Sequence, residues 1–97
     1  MKVYFDNAAT TPLRNEVIEL MTQSMLTTFG NPSSTHAFGR SAKSLIETAR
    51  KSVAKHLNCE PQEIIFTSGG TESDNMVLRC AVKNLNIQTI ISSALEH

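Results

Sequence analysis

Apolar residues recur along this chain at two different periods, and the change from one to the other lays out its elements. From roughly Ser34 to Asn58, the residues Ala42, Leu45, Ile46, Ala49, Val53 and Leu57 fall at i, i+3, i+4, i+7, i+11 and i+15, which is one stripe of an amphipathic helix. An earlier helix is expected within NAATTPLRNEVIELMTQSML (7–26), with Pro12 near its start and Val17, Leu20, Met21 and Ser24 on a shared face. Between the two, TFGNPSS (28–34) is rich in turn formers. Asn31 precedes Pro32 and is biased away from helical backbone, so a break with the character of a hinge or an active-site loop falls there.

After Pro61 the period shortens. EIIFTS (63–68) and QTIISS (88–93) are β-branched runs of strand length, and between them lie Gly69-Gly70 and a third helix from about Thr71 to Asn84. Strand, glycine turn, helix and strand make a βαβ unit, with a right-handed crossover and parallel strands. The expected fold class is therefore α/β, with three helices and a partial parallel sheet. Parallel strands normally sit in sheets covered on both faces, and two alone leave both edges open. The pattern reads as a piece of a larger sheet.

Composition narrows the partners. Nine basic and nine acidic side chains cancel without any block of like charge, so no long-range field recruits nucleic acid or an anionic membrane. No apolar run approaches the ~18 residues of a membrane helix, and a soluble protein is expected. Ninety-seven residues bound the chain to one small domain with a modest core, and aromatics at 5% without tryptophan are thin even for that. Cys59 and Cys80 stand alone, with no CxxC pair and no secretory signal ahead of them. A reducing, cytoplasmic setting with buried free thiols is the expectation.

The candidate chemistry lies in FTSGGTESDN (66–75). Two adjacent glycines at a strand-to-helix turn mark either left-handed backbone or the close approach of another group. The first turn of a helix carries unpaired N–H groups and a partial positive charge, so an anion is stabilised there. Ser68, Gly69, Gly70 and Thr71 would offer amides and hydroxyls to a phosphate at the carboxyl end of a strand. A ligand-free reading competes: Thr71 followed by Asp74 resembles a capping box, and Glu72 and Asp74 complement the helix dipole unaided. If an anion does bind, both acids must point away from it.

Four stretches carry a resemblance. YFDNAATTP (4–12), FGNPSSTHAFGRSAK (29–43), IIFTSGGTESDN (64–75) and IISSALEH (90–97) resemble, in order and approximate spacing, the N-terminal motifs of the cysteine desulfurases, pyridoxal-phosphate enzymes of aminotransferase class V with the fold-type I architecture. The resemblance implies that Gly70 and Thr71 bind the phosphate of pyridoxal 5'-phosphate, and that His97 stacks on the pyridine ring and acts as a catalytic acid/base. It also implies that Asn7, Ala8 and Thr10 run near the substrate pocket. Leu95 stands where family members often carry threonine.

The resemblance spans all 97 residues but matches only the family's N-terminal part. In relatives the Schiff-base lysine, the persulfide cysteine and the aspartate that pairs with the pyridine nitrogen all lie beyond position 97. None of Lys43, Lys51, Lys55 or Lys83 stands at the lysine position, and neither Cys59 nor Cys80 corresponds to the persulfide cysteine. The implied arrangement is a small-domain segment at 1–30 and the beginning of the cofactor-binding large domain at 31–97. The implied reaction converts L-cysteine to L-alanine, with sulfur passed to an enzyme persulfide and on to sulfur-acceptor proteins. These residues alone are expected to be inactive, and a homodimer or strand-exchanged oligomer is expected.

Other readings stay open. Selenocysteine lyases and related class V enzymes share these motifs. A phosphate- or nucleotide-binding α/β module would also use a glycine turn, although neither G-x-G-x-x-G nor the P-loop pattern is present, and Glu96 is the nearest approach to a ribose-reading acid. His56 and Cys59, with Cys80 and His97, lack the second close pair of a zinc site, so no metal is expected. His36 reads as a polar contact early in the long helix.

Overall fold

The computed structural model describes residues 1–95. In chain order it contains α1 (Asn15–Thr27), α2 (Ala37–Leu57) and α3 (Gly70–Asn84), with a 3-10 turn at Pro61–Glu63. The chain divides into two compact units, one of residues 1–61 and one from residue 62 onward.

In the first unit, α1 begins three residues after Pro12, because residues 7–9 form a turn of their own. The Ala9 and Thr10 amides both donate to the Asp6 carbonyl, at 3.1 and 3.3 Å. The long helix α2 starts where its sequence supplies a cap. His36 is extended, and its Nδ1 accepts the Gly39 N–H at 3.3 Å, so the histidine read as a polar contact closes the helix start. At the other end Asn58 is left-handed (φ 53°). The Asn58 amide donates to Lys55 and the Cys59 amide to Ala54, the paired bonds of a Schellman ending.

The loop before α2 packs on its first turn through glycines. A Cβ at Gly39 would collide with the Ser34 carbonyl and come within 2.7 Å of the Asn31 carbonyl, and one at Gly30 would collide with the Phe38 carbonyl. The Phe29 and Phe38 rings stack at 5.4 Å. Asn31 Oδ1 accepts the Ser33 amide, its carbonyl accepts the Ser34 amide, and the Arg40 guanidinium donates to the Thr35 carbonyl. Residues 28–34 are thus a hydrogen-bonded turn.

The apolar stripe of α2 forms as the spacing predicts, but most of it is uncovered. Ala42 and Ala54 are the buried apolar side chains among the described residues, while Leu45 is 44% and Leu57 65% exposed. Of the stripe itself only Ala42 is buried, three residues after Gly39, against which the Ser34 and Asn31 carbonyls lie; Ala49 is exposed like the larger members. Cys59 is half-buried and Cys80 exposed, both as free thiols, which corrects the expectation that both are buried.

In the second unit α3 matches the expected helix to within one residue. The expected parallel sheet does not form: no strand occurs among the described residues. The run at 88–93 does return along α3, since Ile90, Ile91, Ser92 and Ser93 face Asp74, Val77 and Leu78 across an open cleft of about 480 Å³. What is missing is cover. Ile65 is 63% and Ile91 93% exposed, and parallel strands are stable only where neighbours and faces bury them.

These contacts fix an order of effects. Gly39→Ala should lower the stability of the full chain by about 1–3 kcal/mol through overpacking against immovable backbone. His36→Ala should cost about 1 kcal/mol, the usual scale for a lost side-chain cap. Urea unfolding followed by circular dichroism checks both, and equal stability of the Gly39→Ala chain would contradict the packing described.

Candidate anion-binding site

The glycine pair lies at the start of α3, and neither residue is left-handed. Gly69 is the N-cap, fully extended at φ 167° and ψ 180°, and no glycine among the described residues lies in the left-handed region. A Cβ built on either Gly69 or Gly70 meets nothing within 4 Å. Of the two reasons for adjacent glycines, the conformational one is absent. The bare backbone faces open space.

The turn is held from the inside. The Gly69 carbonyl accepts the Ser73 amide at 3.1 Å and stands 3.2 Å from both the Thr67 and the Ser73 hydroxyl. Thr67 Oγ1 and Ser73 Oγ also lie 2.7 Å apart, so when one hydroxyl donates to the other, the second donates to the carbonyl. The Gly69–Gly70 peptide is planar and trans, so its N–H points opposite to its carbonyl. Clamping the Gly69 oxygen toward the helix therefore aims the Gly70 N–H outward. Among the described residues no acceptor stands on the amides of Gly69, Gly70 or Thr71. These are the orphan donors of a helix N-terminus.

Ser68 does not join them. Glu72 Oε2 accepts both the Ser68 amide and the Ser68 hydroxyl at 2.7 Å each, so Ser68 is withdrawn from the set of donors expected for a phosphate. The Thr71–Asp74 capping box does not form either. The helix begins at Gly70, one residue early, which puts Thr71 at the second helical position, where its hydroxyl cannot cap. The acid three residues past the N-cap is Glu72, and it reaches back to the residue before the cap. The sequence signal was present as a serine four residues before a glutamate, but the register that pairs them depends on where the helix starts.

Both acids are accounted for. Glu72 is turned back onto Ser68, and Asp74 lines the cleft with Val77, Leu78 and residues 90–93. The Ser68 amide, and after it the Ser68 hydroxyl, hold the Glu72 carboxyl below the usual glutamate range. The turn thus presents Gly70 and Thr71 to an anion with no carboxylate bonded in front of them.

The remaining expected site residues separate. Gly70 and Thr71 are adjacent and exposed. Asn7, Ala8 and Thr10 belong to the first unit, all exposed: Asn7 and Ala8 lie on the 7–9 turn, where the Asn7 side-chain amide reaches the Tyr4 carbonyl at 3.5 Å, and Thr10 directly follows it. His97 lies outside the described residues. Bare N–H groups, space in place of Cβ atoms and a free threonine hydroxyl fit the phosphate of a cofactor.

The depressed carboxyl gives a pH dependence. Its sign is that of an acid stabilised by folding: the Ser68 bonds hold fully above the ordinary glutamate value of about 4.3 and are lost as the pH falls through the lower folded value. The Ser68 amide resonance should titrate with an inflection below that ordinary value. An inflection at or above it would contradict the Glu72–Ser68 contact.

Comparison with known proteins supplies the family. The aminotransferase class V family model matches residues 3–97. The chain is 54% identical over 85 residues to selenocysteine lyase of Bos taurus, covering 88% of this chain and 20% of that protein. It is 50% identical over 98 residues to cysteine desulfurase IscS of Dictyoglomus turgidum, covering 99% and 25%, and 50% identical over 97 residues to cysteine desulfurase IscS of Methanosarcina thermophila, covering 98% and 24%. It spans about a fifth to a quarter of the length of these relatives. Cysteine desulfurases of this class use pyridoxal phosphate, whose phosphate is an anion of the kind the glycine turn suits. With its motifs, its glycine turn and a match over residues 3–97, the chain belongs to the aminotransferase class V family.

Proposed function

We propose that the chain forms the phosphate-holding part of a pyridoxal-phosphate-dependent cysteine desulfurase, which converts L-cysteine to L-alanine and passes the sulfur to an enzyme cysteine as a persulfide. The observation that carries this reading is the set of open N–H groups at Gly70 and Thr71, beside glycines whose missing side chains leave space for an incoming group. Pyridoxal phosphate, when bound, serves as an electron sink for the substrate carbon. The residues of this chain bind and orient it: the Gly70 and Thr71 amides and the Thr71 hydroxyl hold the phosphate at the positive end of α3. Through the family resemblance, this reading gives His97 the role of stacking on the ring and moving protons as an acid/base.

In this reading residues 1–30 contribute to the small domain and 31–97 open the large one, while Asn7, Ala8 and Thr10 line the substrate pocket. Sulfur-acceptor proteins take the persulfide sulfur. The uncovered stripe of α2 supports a homodimer or larger assembly. No helix among the described residues is long and apolar enough to cross a membrane, and a cytoplasmic enzyme is the proposal. A second reading, selenocysteine lyase, draws on the 54% identity to the bovine protein of that name.

Two measurements on the whole protein test these readings. Thr71→Ala should weaken retention of pyridoxal phosphate about tenfold or more, the scale of a hydrogen bond to a charged group. Its thermal stability without cofactor should be unchanged, because the hydroxyl bonds no described residue. Unaltered retention would remove Thr71 from the seat. Supplied with L-cysteine, the protein should form alanine and a protein-bound persulfide; alanine from L-selenocysteine with none from L-cysteine would replace the first reading by the second.

A further inference from the structure

The mechanism proposed above leaves the carboxylate of Glu72, in the first turn of α3, unused. Glu72 stands three residues past the N-cap of α3, where its carboxylate could fold over the open amides and occupy the place an anion would take. It bonds instead to Ser68, taking the amide and hydroxyl at 2.7 Å each and leaving the Gly70 and Thr71 amides unbonded. Those two bonds join the helix to the residue just ahead of the glycines. The Thr67 and Ser73 hydroxyls close the same loop onto the Gly69 carbonyl, so residues 67–69 are tied at both ends to the first turn of α3. Two flexible glycines in sequence would otherwise sample many backbone states, and a seat made of their N–H groups would have to be ordered anew with each binding event.

We propose that Glu72 is a positioning residue of the anion seat, acting through Ser68: it fixes the loop ahead of the glycines. The proposal rests on the reading of Gly70 and Thr71 as a phosphate seat. It carries a sign that simple electrostatics reverses. Removing a carboxylate near a phosphate relieves repulsion and should tighten binding; removing a latch that holds the donors in place should loosen it.

The test is titration of the full chain with inorganic phosphate, followed by the amide resonances of residues 68–72, in the unsubstituted, Glu72→Ala and Glu72→Gln forms. In the unsubstituted chain phosphate should shift the Gly70 and Thr71 amides. Glu72→Ala should weaken that binding roughly two- to tenfold, the range expected when one or two groups must be ordered on binding, and should raise hydrogen exchange at the Ser68 amide. Glu72→Gln keeps an acceptor for Ser68 and should restore most of the affinity and the slow exchange. Unshifted Val77 and Leu78 amides in both variants establish that α3 is intact. Equal or tighter phosphate binding by Glu72→Ala overturns the role given to Glu72 while leaving the seat in place. Phosphate that fails to move Gly70 and Thr71 in the unsubstituted chain overturns the seat, and the proposal with it.

Discussion

The site depends on one carbonyl oxygen. The Ser73 amide and the linked pair of Thr67 and Ser73 hydroxyls converge on the Gly69 oxygen, and a peptide plane held by its oxygen is held by its nitrogen as well. The direction of the Gly70 N–H is therefore decided by hydroxyls that lie on the other side of the plane and need never touch a ligand. Polar groups of the turn sort into two sets by this geometry. The Gly69 carbonyl, the Thr67, Ser68 and Ser73 hydroxyls and the Glu72 carboxylate find partners within the turn, while the amides of Gly69, Gly70 and Thr71 are left open at the positive end of α3.

Packing elsewhere follows a different constraint, the shortage of cover. The stripe along α2 has the right residues at the right spacing, yet of its members only Ala42 is buried. Helical geometry is local, built from bonds four residues apart, so α2 and α3 exist without that cover. A parallel ladder is not local. Its bonds link segments far apart in sequence, and the residues that form it expose β-branched side chains on both faces unless other layers close over them. Helices present and strands absent among the described residues is the outcome that this difference in range produces.

The same difference explains what was legible in the sequence. The stripe of α2, the break before it and the span of α3 were readable because periodicity and turn residues act over a few positions. The use of His36 as a cap was not, since lone histidines carry no fixed helical position. The Glu72–Ser68 contact was hidden behind a one-residue shift in the helix start, which turned an expected Thr71–Asp74 box into a bond from the next acid along. The sequence required both acids to point away from a bound anion; Asp74 lines the cleft with Val77 and Leu78, whereas Glu72 stays in the turn and takes the Ser68 amide and hydroxyl.

The glycines make the strongest case that the turn is meant to receive something. Left-handed backbone is needed at two places among the described residues, and asparagine fills both, at Asn58 and Asn86. None of the four glycines is used for conformation. Gly30 and Gly39 are excluded from having a Cβ by the protein's own carbonyls, an internal reason that leaves no space over. Gly69 and Gly70 have neither reason, since nothing lies within 4 Å of where their side chains would begin. A glycine at an N-cap is an ordinary choice, but a second one inside the helix weakens it relative to alanine by about 0.5–1 kcal/mol. Within the protein that cost has no return. It makes sense once the bare surface is counted as the site's working part, where an approaching anion meets N–H groups in place of methyl and methylene groups.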